Sequence, residues 1–284
     1  MKIKALMVSA ACVSLLAACG GGSDDSSPRP DPERFAGSGQ IGVIPTADQR
    51  FSGDVQSMVY DPSTDTLTIL GDPFASDGEF VRVPEKDVRG FAAFENEGGT
   101  RRYTALVRTD SLSGLSAGVV GTPVRFNNEF GGTMLARADT PTVPLNVELT
   151  HVGSYAGIRN VGRNVGDDDS NSFLHRVEGQ VRINLDFFDD RPAGAIEGVI
   201  FDRISMDQTV EIDDDLLNVI YEDIVLEFTD IDSQGRFSGI AAGGGISGTY
   251  AGVTSDDQAS ATAGVIEMQG GGELERGAFI TQTE

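Results

Sequence analysis

Tryptophan is absent from the 284-residue chain, and cysteine and histidine occur twice each. Lysine is confined to Lys2, Lys4 and Lys86, so 18 of the 21 basic side chains are arginines, set against 44 acidic ones. The formal net charge of −23 and the lack of clustered Lys/Arg exclude nucleic acid as a partner, because phosphate binding depends on such clusters. They equally exclude docking on anionic lipid through a basic face. No Gly-rich loop ending in Lys-Ser/Thr exists to cradle a nucleotide. Sustained helical periodicity is scarce, and the 39% apolar residues are spread too evenly for a multi-span membrane protein yet suffice for a core.

What is present begins with an address. Met1-Lys2-Ile3-Lys4 is a short basic segment, followed by 14 apolar or small residues from Ala5 to Ala18. As a helix that run rises about 21 Å, short of the roughly 30 Å hydrocarbon core, so residues 1–18 read as a signal peptide. Leu16-Ala17-Ala18-Cys19 resembles the bacterial lipoprotein signal, which implies that Cys19 is lipidated and becomes the first residue of the mature chain. Gly20 in place of aspartate implies sorting to the outer membrane. Several acyl chains on one cysteine exceed the marginal hold of a single chain. The mature chain then carries 19 positive against 44 negative side chains and a single, acylated cysteine. That excludes a disulfide, cysteine catalysis and thiolate metal sites.

Residues 19–40 read as the lipidated cysteine and a flexible linker. The Gly, Ser, Asp and Pro of Gly20 to Gln40 cannot repay their ordering entropy, and as a coil they hold the body on the order of 25 Å from the lipid.

Beyond residue 40 the period is two, as in an all-β chain. In Glu178 to Phe187, the side chains of Glu178, Gln180, Arg182, Asn184 and Asp186 share one face, and Val181, Ile183, Leu185 and Phe187 the other. One wet and one dry face describe an antiparallel strand over a core, in a soluble, filled barrel or sandwich, whereas a lipid-facing barrel would enclose a polar lumen. Eight such runs are expected, at about 145–157, 175–187, 194–202, 219–229, 235–241, 245–252, 260–268 and 274–281. Eight strands closing on themselves leave an interior that side chains can just fill. Residues 41–140 read as a smaller β-rich unit, with a hairpin at Val55–Tyr60 and Thr66–Leu70 and further strands at Arg101–Arg108 and Gly131–Ala136. Pro141 and Pro144 mark the boundary with a second unit at 141–284.

Gly153-Ser154-Tyr155-Ala156-Gly157-Ile158 is echoed by Gly248-Thr249-Tyr250-Ala251-Gly252-Val253. Gly235-Arg236-Phe237-Ser238-Gly239, Ala263-Gly264-Val265 and Arg276-Gly277-Ala278-Phe279-Ile280 complete the pattern. This order resembles the C-terminal eight-stranded barrel of surface lipoproteins related to transferrin-binding protein B. There, a strand ending in Gly-x-x-Tyr/Phe-x-Gly leads into a glycine-bearing strand and the chain closes on Gly-Ala-Phe. The resemblance covers roughly residues 141–284 and implies that 41–140 is the smaller "handle" preceding such a barrel. It implies a surface protein that captures a ligand through loops, host transferrin, haem and complement regulators being the family's classes. It implies, too, export by an outer-membrane translocator. No residue here matches a specific ligand motif.

Gly114-Leu115-Ser116-Ala117-Gly118 has the G-x-S-x-G spacing of serine hydrolases, but that elbow needs a following helix, and Val119-Val120-Gly121-Thr122-Pro123 cannot form one. His151 shares strand parity with Val147 and Leu149, and His175 with Val177 and Val181, so both point inward. Pairing of their strands would set His151 opposite Gln180 or Val181, too far from His175 for a shared metal or haem. Asp167-Asp168-Asp169, Asp213-Asp214-Asp215 and Asp230-Ile231-Asp232 read as solvated acidic loops or weak calcium ligands. Position twelve from Asp230 is Ala241, where an EF-hand needs glutamate. No cofactor or metal site is expected.

Three functions compete. The first is an outer-membrane, surface-exposed lipoprotein, not an enzyme, whose loops at 159–173, 203–217 and 253–259 recognise a solute or protein, iron- or haem-related ligands among them. The second is a structural or adhesive envelope lipoprotein. The third is a hydrolase using Ser116.

Overall fold

The computed structural model describes residues 53–61, 64–71, 74, 79–96, 102–123, 129–161, 173–188, 193–212 and 215–284. The signal, Cys19 and the linker lie outside them.

Alternating apolar residues and tight turns generate two antiparallel sheets. The first runs in chain order through β1 (Ser57–Asp61), β2 (Thr66–Leu70), β3 (Glu79–Arg82), β4 (Ala92–Asn96), β5 (Thr104–Asp110), β6 (Leu115–Gly121) and β7 (Gly131–Arg137). The expected hairpin is there: Tyr60 pairs with Leu67 and Asp61 with Thr66, and Asp65 turns the chain at φ 55°. The sheet curls until the segment before β1 meets β7, where Asp54 N–H donates to Gly131 O at 3.0 Å. Met58, Leu67, Ile69, Phe80, Phe94, Tyr103 and Val107 fill the resulting trough.

The second sheet comprises β8 (Glu148–Val161), β9 (Phe173–Asp186), β10 (Ala195–Ile212), β11 (Asp215–Tyr221), β12 (Ile224–Asp230), β13 (Arg236–Gly243), β14 (Ile246–Thr254), β15 (Ala261–Gly270) and β16 (Glu273–Thr283). β16 pairs with β8 and β9 with β10, which closes the sheet into a barrel. β11 and β12 lie end to end along one side of β10, Ile212 opposite Asp215 and Ile200 opposite Ile224. They act as one staff, so the barrel has eight. The expected run at 219–229 is therefore two strands, broken at Glu222-Asp223. Asp202, at φ 51°, opens a bulge between the pairs Phe201–Gln180 and Ile204–Glu178. Such a bulge re-aims the following side chain, and Arg203 turns inward.

Tyr155, Val181, Ile183, Phe187, Ile200, Leu226, Phe237, Tyr250, Ile266 and Phe279 fill the interior. The repeated glycines are seats for these rings. A Cβ on Gly277 would lie 2.2 Å from the Tyr155 hydroxyl, and one on Gly264 2.2 Å from Phe279 Cζ. Small barrels need this alternation of ring and void to close without overpacking.

The outer face of β8, β14, β15 and β16 presents Ala156, Ile158, Ala251, Val253, Ala263, Val265, Ala278 and Ile280, on which Phe91, Leu106, Leu115, Ala117, Val119 and Leu135 of the first sheet pack. β6 is consequently buried along its whole length. Polar contacts rim this seam: Arg137 Nη1 donates to the carbonyls of Gln234 and Thr254 at 2.8 and 2.9 Å, Arg276 Nη1 meets Glu129 at 2.7 Å, and Arg176 donates to Lys86 O. A broad apolar seam of this kind resists the hinge motion typical of polar domain contacts.

Candidate functional site

Two features of the barrel bear on function, a charge cluster within its upper end and an apolar outer wall. The upper end carries the β8–β9, β10–β11, β13–β14 and β15–β16 connections. On β16 the inward parity of Phe279 and Gly277 continues to Glu275, and on β8 that of Tyr155 and Gly157 continues to Arg159. Glu275 and Arg203 are both fully buried. Arg203 Nη2 bridges the two Glu275 oxygens at 2.6 and 2.5 Å, Tyr155 OH donates to Oε1 at 2.6 Å, and Arg159 Nη1 donates to Oε2 at 3.0 Å. Arg159 also pairs with Glu273 and stacks 4.3 Å from the centre of the Tyr221 ring, a cation–π contact.

Burial works against the charge on Glu275, but Arg203 and then Arg159 outweigh it and hold the carboxyl below its ordinary value. Burial pushes the Tyr155 phenol up, and Glu275 pushes it further, so Tyr155 stays a proton donor. Two arginines and two glutamates neutralise one another, Arg203 Nη1 donates to the Glu222 carbonyl, and Arg203 Nε is left without a partner among the described residues. The arrangement fills the described interior at that end of the barrel with buried, mutually paired charges.

The histidines sit at opposite ends. His151 pairs with Ile183 in the strand register, two residues beyond the expected partner, and His175 pairs with Arg159. His151 is fully buried, with Nδ1 3.0 Å from Thr262 Oγ1 and Nε2 3.3 Å from Thr283 Oγ1. Burial pushes its imidazole down to about 4. His175 lies 3.5 Å from the Tyr221 hydroxyl, and burial lowers it too.

Ser116 is buried in strand β6, where its hydroxyl donates to Thr109 Oγ1 at 3.1 Å. Gly114 turns the β5–β6 hairpin at φ 67°, so the G-x-S-x-G segment is a hairpin arm and not a strand-to-helix elbow. Asp232 spends its carboxylate on the Gln234 and Arg236 amides, both at 2.9 Å, and on Arg236 Nε at 2.7 Å. Asp167, Asp168, Asp169, Asp213 and Asp214 lie outside the described residues. Among the described residues no group of three or more His, Cys, Asp or Glu is placed to hold a metal.

Two of the expected recognition loops are corrected. Residues 203–217 are not a loop, because β10 continues to Ile212 and β11 returns from Asp215; the bulge lets an irregular-looking sequence remain strand. Residues 253–259 begin as strand and end in a tight turn held by Asp256, whose Oδ1 accepts from Gln258 N–H at 2.9 Å, with Ala259 buried. Of the 159–173 loop, residues 162–172 lie outside the described set.

The outer wall was missed in the sequence. Across β10 to β13, Val199 faces Val225, which faces Ala242, and Ile204 faces Ile220. Ile220 is 78% exposed, Ile240 53%, Val225 52% and Phe228 51%. At the foot of this wall a cleft of about 360 Å³ is lined by Glu148, Asn184, Asp186, Glu197 and Phe228 among others. The neighbouring outer face of β9 is wet, as its alternation required.

No family model matches the sequence, and no curated protein matches it. Among solved structures, the chain is similar to the N-lobe domain of lactoferrin-binding protein B of Moraxella bovis, at 13% identity over 66% of this chain and 81% of that one, with a TM-score of 0.35. It is similar to transferrin-binding protein B of serogroup B Neisseria meningitidis at 17% identity over 81% of this chain and 42% of that one, with a TM-score of 0.41. A surface lipoprotein matches at 12% identity over 86% of this chain and 97% of that one, with a TM-score of 0.37. The architecture given above rests on this chain's own strand register.

Proposed function

We propose that this chain is a lipid-anchored binding protein of the outer membrane, displayed at the cell surface, that engages a protein ligand on its exterior. The observation that carries the reading is the sealed barrel: aromatic rings fill its middle and the Arg203–Glu275 cluster fills its upper end. An eight-stranded barrel can hold one small ligand only where side chains leave it room, and the described interior positions here are taken by Tyr155, Phe187, Phe237, Tyr250 and Phe279. The two histidines, engaged at opposite ends by Thr262, Thr283 and Tyr221, favour a protein ligand over haem. Cys19 supplies the anchor in this reading, and the linker sets the body away from the lipid.

Native mass spectrometry of the mature protein, isolated from its producing cells, tests both parts. The expected mass is the polypeptide from Cys19 plus acyl chains, and Cys19→Ala removes the acyl mass and leaves residues 1–18 attached. A stoichiometric small solute, or a mature mass without acyl chains, overturns the reading.

A further inference from the structure

We propose that the outer wall of β10 to β13 docks a protein partner whose contact surface is apolar at its centre and carries Lys or Arg at its edge. The proposal rests on the binding role above and adds the surface and the chemistry of its partner. The barrel has two apolar outer faces. One, on β8, β14, β15 and β16, is covered by the first sheet. The other has Ile220, Val225 and Ile240 more than half exposed; Val225 lies between Val199 and Ala242 in the register, Ile220 opposite Ile204, and Ile240 two residues before Ala242 on β13. A contiguous patch of large apolar side chains with a polar rim marks an interaction site.

Charge selects the occupant. Exposed Glu197, Glu222, Asp223 and Glu227 border the wall, and the cleft at its foot adds Glu148 and Asp186. The described cations nearby are already held, Arg182 by Glu284 at 3.3 Å and Arg236 by Asp232 at 2.7 Å. A second copy would bring two acidic rims together in a chain of net charge −23, and an anionic bilayer would be repelled as well. A basic rim around an apolar centre satisfies both features, and complementary rims speed encounter and fix register.

The test places photoreactive benzoylphenylalanine at Ile220, at Ile240 and, as a separate site, at Leu112 on the β5–β6 turn, in the full chain within its producing cells. The expected result is a discrete protein adduct from positions 220 and 240 whose cross-linked peptide contains Lys or Arg beside apolar residues. Glu197→Lys with Glu227→Lys in the same chain lowers the adduct yield about ten-fold while thermal unfolding is unchanged, as expected when exposed rim charges are reversed. Adducts to a second copy, to lipid or to an acidic peptide overturn the proposal, as does a yield that ignores the lysines. An adduct at Leu112 with none at 220 or 240 leaves the binding role standing and removes this surface from it. No adduct at any position removes both.

Discussion

Replacing Glu275 by leucine isolates the seal of the barrel. The carboxylate is fully buried and accepts from Arg203, Arg159 and Tyr155. Its loss leaves the Arg203 guanidinium, itself fully buried, with only the Glu222 carbonyl, whereas Arg159 keeps Glu273. Removing one partner of a buried pair costs about 3–5 kcal/mol, because the stranded charge keeps its desolvation penalty. With a urea dependence of about 2–3 kcal/mol/M for a body of this size, the unfolding midpoint should fall by about 1–2 M. Arg203→Met added to Glu275→Leu should recover most of that loss, since an apolar replacement of both partners is commonly near neutral. Acid gives an independent reading. Glu275 is held below its free value of 4.5, so its stabilisation is fully present above that value and is lost as pH falls through the lower folded one. The gap between parent and variant should therefore narrow below pH 4.5. A midpoint change under about 0.3 M, less than 1 kcal/mol on the same scale, would show that water reaches the cluster, and the sealed-barrel reading would fall with it.

Three further outcomes follow from the same packing. His151 is kept neutral, its pKa pushed down to about 4, while the unfolded chain takes up a proton near 6.5. Stability should therefore drop by about 3 kcal/mol as pH falls from 6.5 to 4, and His151→Gln should flatten that part of the urea-midpoint profile. Gly277→Ala sets a methyl 2.2 Å from the Tyr155 hydroxyl; overpacking of about 1–3 kcal/mol should lower the thermal midpoint by several degrees, read by circular dichroism. Ala278→Asp buries a carboxylate in the seam between the sheets, so hydrogen exchange should accelerate in β6 and β15 while the β9 amides keep their protection.

Strand number and inward parity were legible in the sequence because the barrel's inner face obeys a strict period of two. Val177, Val181, Ile183 and Leu185 point in and Glu178, Gln180, Arg182 and Asn184 point out in β9, as the alternation required. Glycine spacing was legible as strand chemistry, but the reason for it was not, since the ring that each glycine admits sits on another strand: Gly277 on β16 beneath Tyr155 on β8, Gly264 on β15 beneath Phe279 on β16. The loop at 203–217 misled because one left-handed residue, Asp202, breaks the alternation while pairing continues on both sides. The charge cluster did leave a local trace. Arg159 and Glu275 occupy inward positions otherwise held by Tyr155, Gly157, Gly277 and Phe279, and two opposite charges at inward positions of neighbouring strands predict a buried pair.

The two outer walls show where strand patterning stops discriminating. Strands of the β14–β16 wall and of the β10–β13 wall both put apolar residues on both faces, and an alternation count cannot say which outer face is covered. Side-chain size separates them. The covered wall interleaves Ala156, Ala251, Ala263 and Ala278 with Ile158, Val253, Val265 and Ile280, and the alanines let two sheets approach closely. The open wall is built from Val199, Ile204, Ile220, Val225 and Ile240, whose bulk would hold a second sheet of this chain away and whose acidic border no described cation balances. A face selected for packing within the chain would carry the small residues and neutral rim of the first; large apolar side chains inside a ring of carboxylates are suited to a partner that brings its own pockets and its own positive charge.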